Sequence, residues 1–252
     1  MAAGKLAGRN ALITGASKGL GKAMALALGK ESANIALVAR DTDRLTAVAE
    51  EIRANGSDAE SYSLDVSNEA AVRELEAAAL ARFGHIDILI NNAGINLRKP
   101  VTEFTLEEWN QVVSVNLTSA FLLCRSFVPQ MKGRGYGRII NMTSTMGHVS
   151  LPGRTAYSAT KAALIGFTKA LALELANEAI TVVGISPGPF ATEMNLPLLQ
   201  NPEVNQQFIA NIPVGRWGRV EEIGALAAFL CSDEAAFLTG TDILIDGGWC
   251  AR

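Results

Sequence analysis

Short apolar runs alternate along the chain with longer segments in which apolar residues recur every three or four positions. The short runs predict strands at 10–14, 34–39, 59–64, 86–90, 138–142, 181–185 and 241–245. The longer segments predict helices that end near residue 30 and that cover 42–54, 68–83, 105–131, 156–178 and 221–230. Because strands that alternate with helices form parallel sheets covered on both faces, we expect a single α/β domain. Its helices would enclose a doubly wound, seven-stranded parallel sheet as three α/β/α layers.

One segment interrupts this alternation. Five of the eight prolines of the chain lie between residues 186 and 220. Ligands of such sheets bind outside the carboxyl ends of the strands, and a long insertion at that edge is often a functional lid. We therefore predict a substrate lid at about 187–213. The alternative is a surface excursion that packs or oligomerises.

Composition narrows the classes of partner. The 252 residues are 49% hydrophobic and carry a net charge of −3, which permits a large core and argues against nucleic acid or an anionic membrane as a partner. No apolar run reaches the roughly 18–20 residues of a membrane span, and the first five residues lack a signal-peptide core. Cys124, Cys231 and Cys250 are far apart, and His85 and His148 are the only histidines. We expect no metal site, no disulfide framework and a cytoplasmic protein.

A glycine-rich turn follows the first strand and opens the first helix. Gly15, Gly19 and Gly21 allow the backbone to turn tightly and to approach a ligand, and the helix start suits a pyrophosphate. The spacing G-x-x-x-G-x-G differs from the better known G-x-G-x-x-G. Many glycine turns are only turns, but this one lies where the ligand crevice of a Rossmann sheet is expected. It predicts a dinucleotide site.

The end of the second strand bears on the type of dinucleotide. The strand ends at Ala39 and is followed by Arg40 and Asp41, and Lys18 lies in the glycine turn. A carboxylate at this strand end would bind the ribose 2′-hydroxyl of NAD, whereas an arginine suits the 2′-phosphate of NADP. We therefore predict NADP(H). The alternative is NAD(H), with Arg40 and Lys18 as surface charges and Asp41 as a helix cap.

Tyr157 and Lys161 lie four residues apart in a predicted helix, so their side chains share a face. An ammonium group beside a phenol lowers the phenol pKa from its ordinary value of about 10. A phenol tuned in this way is a usable general acid and base. The same spacing is also common in ordinary pairs on helix surfaces.

Several motifs follow one another in a set order. They are T-G-x-x-x-G-x-G at 14–21, N-N-A-G at 91–94, then Asn116, Ser144, Tyr157 and Lys161, and finally Pro187-Gly188 with Thr192. In this order and at these spacings, the chain resembles the short-chain dehydrogenase/reductase family over nearly its whole length.

The resemblance implies a catalytic role for four residues. Tyr157 would donate a proton to a carbonyl oxygen as hydride reaches the carbon, and Ser144 would hold that oxygen. Lys161 would lower the Tyr157 pKa and bind the nicotinamide ribose, and Asn116 would connect Lys161 to a chain of waters. Read without the resemblance, Ser144 is one polar residue at a strand end and Asn116 is a buried amide bonded to backbone.

The resemblance also implies a set of cofactor contacts. Asp65 and Val66 would contact adenine, although Asp65 could instead cap the helix that follows. The full predicted set is Gly15, Ser17, Lys18, Gly19, Leu20, Gly21, Arg40, Asp65, Val66, Asn92, Ala93, Gly94, Tyr157, Lys161, Pro187, Gly188 and Thr192. Val183 stands where the family commonly has Asn, which puts the local hydrogen bonding in doubt.

The substrate is less constrained. Expected pocket residues are Asn96, Met146, His148, Leu151, Arg154 and parts of 190–212. The stretch 91–100 is similar to reductases of sugar acids such as 5-ketogluconate, and 214–248 is similar to 3-oxoacyl-carrier-protein reductases and broad carbonyl reductases. Arg98, Lys99 or Arg154 could bind a carboxylate or a carrier-protein phosphate, or could be surface charges.

We therefore expect an NADP(H)-dependent oxidoreductase acting on a ketone or 3-oxoacyl compound, with a sugar acid as the alternative substrate. A non-catalytic dinucleotide sensor is the alternative class, and its signature would be an incomplete set of catalytic residues. Helices 105–131 and 156–178 are apolar beyond one face and resemble the family's oligomer interface, which predicts a homotetramer or a dimer.

Overall fold

The sheet has seven parallel strands in the order β3-β2-β1-β4-β5-β6-β7. The structure, a computed structural model, describes residues 4–251, apart from the side chain of Met194. The strands are Asn10–Thr14 (β1), Asn34–Ala39 (β2), Ala59–Ser63 (β3), Ile88–Asn91 (β4), Gly137–Met142 (β5), Ile180–Pro187 (β6) and Asp242–Ile245 (β7). The predicted fold is confirmed. The prediction about the first five residues rests in part on residues 1–3, which lie outside the described part.

Helices cover both faces of the sheet. They are Gly19–Lys30 (α1), Thr42–Ala54 (α2), Glu69–Phe83 (α3), Leu106–Val113 (α4), Ser119–Met131 (α5), Thr155–Leu175 (α6), Leu196–Leu199 (α7), Pro202–Ala210 (α8) and Val220–Cys231 (α9). Side chains alternate between faces along each strand, so Ile13 joins the core under α1, α2 and α9, and Leu12 joins the core under α3, α5 and α6. Both faces are buried, which explains why the strands read as continuous apolar runs.

The predicted helix at 105–131 is present and contains a π-helical turn. A π-helical turn at Ser114–Thr118 separates α4 from α5, and the Ser119 hydroxyl donates to the Val115 carbonyl oxygen at 2.6 Å within it. Such a turn inserts one extra residue and often marks a functional position. Periodicity cannot reveal a single extra residue, and this one shifts Asn116 relative to a regular helix.

The same run, Leu106–Met131, is the one helical segment among residues 4–251 whose length and apolar composition would let it cross a membrane. Half of its most apolar window is buried inside the protein, and helices in the cores of many proteins meet the same criterion. The expectation that no apolar run reaches the length of a membrane span therefore underestimated this segment. In this structure the segment packs against one face of the sheet.

The first predicted boundary of β4 also shifts, from 86 to 88. Ile86 and Asp87 precede the ladder with β1, since the Ile86 amide donates to the Gln130 side chain at 3.2 Å and the Asp87 amide donates to Asn10 at 2.8 Å. Ladder pairing with β1 begins at Ile88. Apolar character alone therefore overextended this strand.

The proline-rich segment after β6 holds the two short helices α7 and α8. Phe208 of α8 stacks between Trp217 and Trp249, with ring centroids 5.5 and 5.6 Å apart. The Trp217 indole also donates to Asn205 of α8 at 2.7 Å. These contacts fasten the segment to the region that follows β7, beside the carboxyl ends of the strands.

Candidate active site

A cavity of about 520 Å³ opens at the carboxyl ends of the central strands. It lies where the strand order reverses between β1 and β4, the position at which such sheets bind ligands. Every residue predicted to contact the cofactor lines it: Gly15, Ser17, Lys18, Gly19, Leu20, Gly21, Arg40, Asp65, Val66, Asn92, Ala93, Gly94, Tyr157, Lys161, Pro187, Gly188 and Thr192. Ser144 lines it too, while Asn116 is buried behind the wall.

The glycine turn is shaped to approach a ligand closely. Gly15 and Gly19 have φ of +65° and +55°, in the left-handed region that favours glycine. A Cβ on Gly21 would overlap the Gly15 carbonyl oxygen. Lys18 caps α1 without a side-chain hydrogen bond, and the first turn holds no acid, so the amide groups at this helix start suit a phosphate. The cradle therefore fits a dinucleotide.

Asn92 holds this turn in place. Its Nδ2 donates to the carbonyl oxygens of Thr14 and Gly15 at 2.8 and 3.2 Å. The Thr14 hydroxyl in turn accepts from the amides of Asn92 and Ala93, each at 3.0 Å. Asn92 thus lines the cavity and also joins the loops after β1 and β4.

The end of the cavity beside β2, where the adenosine of a dinucleotide is expected, carries mixed charges. Asp65 accepts from the Ser67 amide and hydroxyl at 2.9 and 2.7 Å and lies 3.9 Å from Arg40. Partial burial opposes ionisation, but the Ser67 hydrogen bonds and the Arg40 charge hold the Asp65 pKa below its ordinary value. Asp41 caps α2 by accepting from the Arg44 amide at 3.2 Å. The carboxylate nearest the β2 end is therefore engaged in the cap.

Two charged residues at this end of the cavity, Glu193 and Arg44, were not predicted from the sequence. One oxygen of Glu193 lies 2.8 Å from Lys18 Nζ and 2.9 Å from Arg44 Nη1. Hydrogen bonds from these two cations lower the Glu193 pKa. Arg44 stands one turn after Arg40 in sequence, which is the signal that could have identified it.

Asn116 projects from the π-helical turn into the protein. Its Oδ1 accepts from the Ile95 amide at 2.8 Å, and its Nδ2 donates to the Ile95 carbonyl oxygen and to Thr160 at 3.0 and 3.1 Å. A Cβ added to Gly94 would lie 3.4 Å from Asn116 Oδ1 and 3.7 Å from Lys161 Nζ. Asn116 therefore borders Lys161 across Gly94, and its hydrogen bonds are those of a buried amide on backbone. A water chain through Asn116 stays a prediction.

Lys161 is buried, and no carboxylate within residues 4–251 pairs with it. Its Nζ donates to the Met142 carbonyl oxygen at 2.5 Å. Burial disfavours the ammonium and lowers the Lys161 pKa to about 8. The group is thus a cation held at the end of β5 by backbone rather than by an opposite charge.

The expected lowering of the Tyr157 pKa by Lys161 stays a prediction, because other groups set this pKa in the structure. Burial raises the Tyr157 pKa, and this outweighs a hydrogen bond with Ser144 and the charges of Arg154 and Arg98, which lower it. The ammonium of Lys161 lies 5.6 Å from the centre of the Tyr157 ring. The cations that act on the phenol are therefore Arg154 and Arg98.

Ser144 stands at the end of β5, with its hydroxyl directed at Tyr157. It is buried, accepts from the Met146 amide at 3.1 Å, and lies close enough to the Tyr157 phenol to lower the phenol pKa. Two hydroxyl groups thus meet at one point of the cavity wall. An oxygen atom placed there could accept a hydrogen bond from Ser144 and a proton from Tyr157.

Arginines border the substrate side of Tyr157. Arg154 is half-buried and lines the cavity, and its guanidinium has no hydrogen bond or ion pair within residues 4–251. Burial lowers its pKa, and so does the charge of Arg98 nearby. Arg98 donates to Asn195 at 3.1 Å. The Oδ1 of Asn96 is buried in the same wall and has no partner among the described residues.

Of three other expected pocket residues, two line the cavity and one does not. Met146 and Leu151 line the cavity as predicted. The prediction for His148 is wrong, because its Nε2 lies 2.6 Å from Asp242 and the residue is absent from the cavity wall. Lys99 is bonded to Glu108 at 2.5 Å rather than facing a ligand. No group of His, Cys, Asp and Glu side chains in the described part of the chain could hold a metal ion.

Comparisons with known proteins identify related oxidoreductases. The family model described as enoyl-(acyl carrier protein) reductase matches residues 15–250. Gluconate 5-dehydrogenase of Gluconobacter oxydans is 36% identical over 243 residues, which cover 96% of this chain and 95% of that protein. The 3-oxoacyl-acyl-carrier-protein reductase FabG of Staphylococcus aureus is 37% identical over 241 residues, covering 95% of this chain and 97% of FabG.

A solved structure extends the likeness to three dimensions. It is that of a proposed NAD(P)-dependent gluconate 5-dehydrogenase of Beutenbergia cavernae, with NADP bound at low occupancy. It superposes with a TM-score of 0.93 at 36% identity, over 98% of both chains. The chain therefore belongs to the short-chain dehydrogenase/reductase family of oxidoreductases, whose cofactor is NAD(P)(H).

Proposed function

We propose that this chain is an NADP(H)-dependent oxidoreductase that interconverts a ketone and a secondary alcohol, with Tyr157 as general acid and base. The observation that carries the proposal is the meeting of the Ser144 and Tyr157 hydroxyls at the cavity wall, with Lys161 buried beside them. The nicotinamide, when bound, supplies or accepts the hydride. The complete set of catalytic residues argues against a non-catalytic sensor.

In this proposal, residues of the chain donate and accept the proton. Since burial raises the Tyr157 pKa, the phenol is protonated at neutral pH and can donate to the oxygen of a ketone being reduced. Ser144 holds that oxygen by a hydrogen bond. Arg154 and Arg98 place positive charge near the phenolate that remains, which favours the transfer. The reverse reaction returns the proton from the alcohol to Tyr157.

The cofactor preference is proposed from the charges at the adenosine end. Lys18, Arg40 and Arg44 provide three cations there, which Glu193, Asp65 and the helix-capping Asp41 pair in this structure. Guanidinium and ammonium groups suit a 2′-phosphate. The NADP in the related structure supports the same choice.

For the substrate, the cavity favours a carbonyl compound that carries a carboxylate and hydroxyl groups. The guanidinium of Arg154 lacks a partner within residues 4–251, and an anionic group would satisfy it. The buried Asn96 Oδ1 lacks a donor, and a substrate hydroxyl would provide one. The relative named gluconate 5-dehydrogenase supports a sugar acid of the 5-ketogluconate type.

A 3-oxoacyl thioester is the second candidate. Phe208, Trp217 and Trp249 form an aromatic wall on the lid side of the cavity, against which an acyl chain could pack. The relative FabG supports this choice. The segment at 187–213 is proposed as the lid that covers either substrate.

The assembly is proposed to be a homotetramer. Leu106, Phe121 and Leu173 are exposed on α4, α5 and α6, and Leu173 keeps 81% of its surface in solvent. Phe229, Phe237 and Leu244 are exposed near the β7 edge, on the other side of the sheet from α5 and α6. Two separate apolar patches permit two different self-complementary interfaces, as a tetramer requires. A cytoplasmic location stays a prediction.

The direct test is NADPH oxidation with 5-ketogluconate, a 3-oxoacyl thioester and a neutral aryl ketone, each repeated with NADH. Turnover of the sugar acid with NADPH above the others supports the proposal. Faster turnover of the thioester selects the second candidate. Equal or faster rates with NADH would overturn the cofactor assignment, and binding of NADPH without turnover of any carbonyl would overturn the enzymatic role.

A further inference from the structure

A buried carboxylate that the proposed reaction does not use lies next to the catalytic residues. It belongs to Asp242, the first residue of β7, whose side chain is only 5% exposed. The hydroxyls of Thr143 and Ser186 donate to it at 2.5 and 2.6 Å, and His148 Nε2 lies 2.6 Å from it. A carboxylate in such a position is tolerated only when it is well bonded.

Each partner of Asp242 adjoins a functional segment. Thr143 immediately precedes Ser144, and Ser186 immediately precedes the Pro187-Gly188 turn. His148 follows the short turn that begins at Ser144, in which the Gly147 amide donates to the Ser144 carbonyl oxygen at 2.8 Å. Asp242 therefore joins the Ser144 turn to the Pro187-Gly188 turn, and both turns line the cavity.

The backbone makes room for this carboxylate. Asp242 pairs with Gly184 across β6 and β7, and a Cβ at Gly184 would overlap the Asp242 carboxylate. The turn after Ser144 is tied to the Pro187-Gly188 turn a second time, because the Thr145 hydroxyl donates to the Pro187 carbonyl oxygen at 3.3 Å. The arrangement is thus a network rather than a single contact.

We infer that Asp242 and His148 are positioning residues, which clamp the Ser144 turn against the Pro187-Gly188 turn. The clamp fixes the Ser144 hydroxyl relative to the Pro187-Gly188 turn, and both line the cavity. It acts through Ser144 and touches neither substrate nor cofactor. The inference rests on the proposed function, since it concerns the alignment of that same reaction.

The chain offers a matched control at the amino ends of the strands, on the far side of the sheet from the cavity opening. Asp87 is 3% exposed, lies 3.2 Å from His85 Nε2, and accepts from the Asn10 amide at 2.9 Å. It stands just before β4, at the amino end of the strands, away from the cavity. Asp242→Asn and Asp87→Asn therefore remove similar buried carboxylates that each face a histidine.

We expect Asp242→Asn to lower kcat by roughly tenfold to hundredfold, since a misplacement of about 1 Å can reduce a rate by about 10². The Kd for NADPH should change less than about twofold, because this is a loss of alignment and not of binding. His148→Gln changes a partly exposed side chain, so the variant should fold. It should also lower kcat, but by less than Asp242→Asn does. Asp87→Asn should leave kcat unchanged even if it lowers Tm as much.

Hydrogen–deuterium exchange of peptides covering 143–149 tests the clamp without any substrate. Faster exchange there in Asp242→Asn but not in Asp87→Asn supports it, and equal exchange in the two variants overturns it. Equal losses of kcat in the two variants would also overturn it. If the wild-type protein turns over no carbonyl while exchange at 143–149 still responds to Asp242→Asn alone, the proposed function fails and the clamp stands.

Discussion

Lys161 lies one helical turn after Tyr157, yet its ammonium is bonded to the Met142 carbonyl oxygen and lies 5.6 Å from the centre of the Tyr157 ring. The pair is therefore not a simple contact of ammonium with phenolate. Burial moves the two pKa values towards the neutral forms, upward for Tyr157 and downward, to about 8, for Lys161. At neutral pH this gives a protonated phenol beside a lysine that is still largely charged.

Replacing Tyr157 by Phe tests the proton transfer. We expect kcat for ketone reduction to fall by about 10²–10⁴, the usual worth of a general acid, while NADPH binding is kept. Tyr62→Phe is the control, because the Tyr62 hydroxyl is also buried but has no hydrogen-bond partner among the described residues. Steady-state kinetics and fluorescence titration with NADPH measure the two effects. Normal turnover by Tyr157→Phe would disprove the mechanism.

Replacing Lys161 by Met tests the burial of its charge. The folded-state pKa of about 8 lies below the ordinary value of 10.5, so the unfolded chain holds the proton more tightly. At roughly 1.4 kcal/mol per pH unit, the buried charge opposes folding by about 3 kcal/mol below pH 8. Stability of the wild-type protein should rise relative to Lys161→Met as pH increases from 8 towards 10.5.

Urea unfolding at several pH values measures this difference. At pH 7 we expect Lys161→Met to be at least as stable as the wild-type protein, although it should lose activity. Groups that titrate in both proteins cancel in the comparison. Parallel stability curves from pH 7 to 10.5 would mean that Lys161 is not a buried cation.

Much of the architecture was readable from periodicity, because the strands are buried on both faces and the helices have one apolar side. The strand limits for β1 and β2 and the limits of α2 were predicted to the residue. Motif order also placed the cofactor residues around one cavity. These features depend on local sequence, so local reasoning finds them.

The features that could not be predicted from the sequence depend mostly on contacts between distant segments. His148 binds Asp242, 94 positions away, and so turns from the cavity. Glu193 meets Lys18 across 175 positions. The extra residue of the π-helical turn at Asn116 leaves no trace in the apolar pattern. Nothing in the local pattern around these residues reports a partner brought near only by the fold.

Gly21→Ala tests the phosphate cradle. The new methyl group would overlap the Gly15 carbonyl oxygen and approach Asn92 Nδ2, so the turn must distort. We expect NADPH affinity to fall by more than about tenfold, since close backbone approach is what glycine permits in such turns. Isothermal titration with NADPH measures it.

Gly166→Ala is the matched control, because it lies inside α6 with nothing within 4 Å of its added Cβ. There the change should leave NADPH affinity as it is and raise stability by about 0.5–1 kcal/mol, the helix preference of Ala over Gly. Equal affinities of the two alanine variants would exclude the turn as the phosphate site.

Arg154→Gln tests the recognition of a substrate carboxylate. The experiment compares a keto acid with its neutral carboxamide in wild-type and variant protein, so that charge is varied on both sides of the contact. We expect kcat/KM for the acid to fall by roughly 30-fold or more, since a charged hydrogen-bonded pair is worth about 2–5 kcal/mol when one partner is removed. The carboxamide should lose far less.

Lys99→Gln is the control for nearby positive charge, because Lys99 is committed to Glu108 at 2.5 Å and should not discriminate between the two compounds. A loss of equal size on acid and amide would show that Arg154 acts on the Tyr157 phenol, whose pKa it helps to lower, rather than on the substrate. Loss confined to the acid would separate carboxylate binding from catalysis, because the phenol serves both compounds alike.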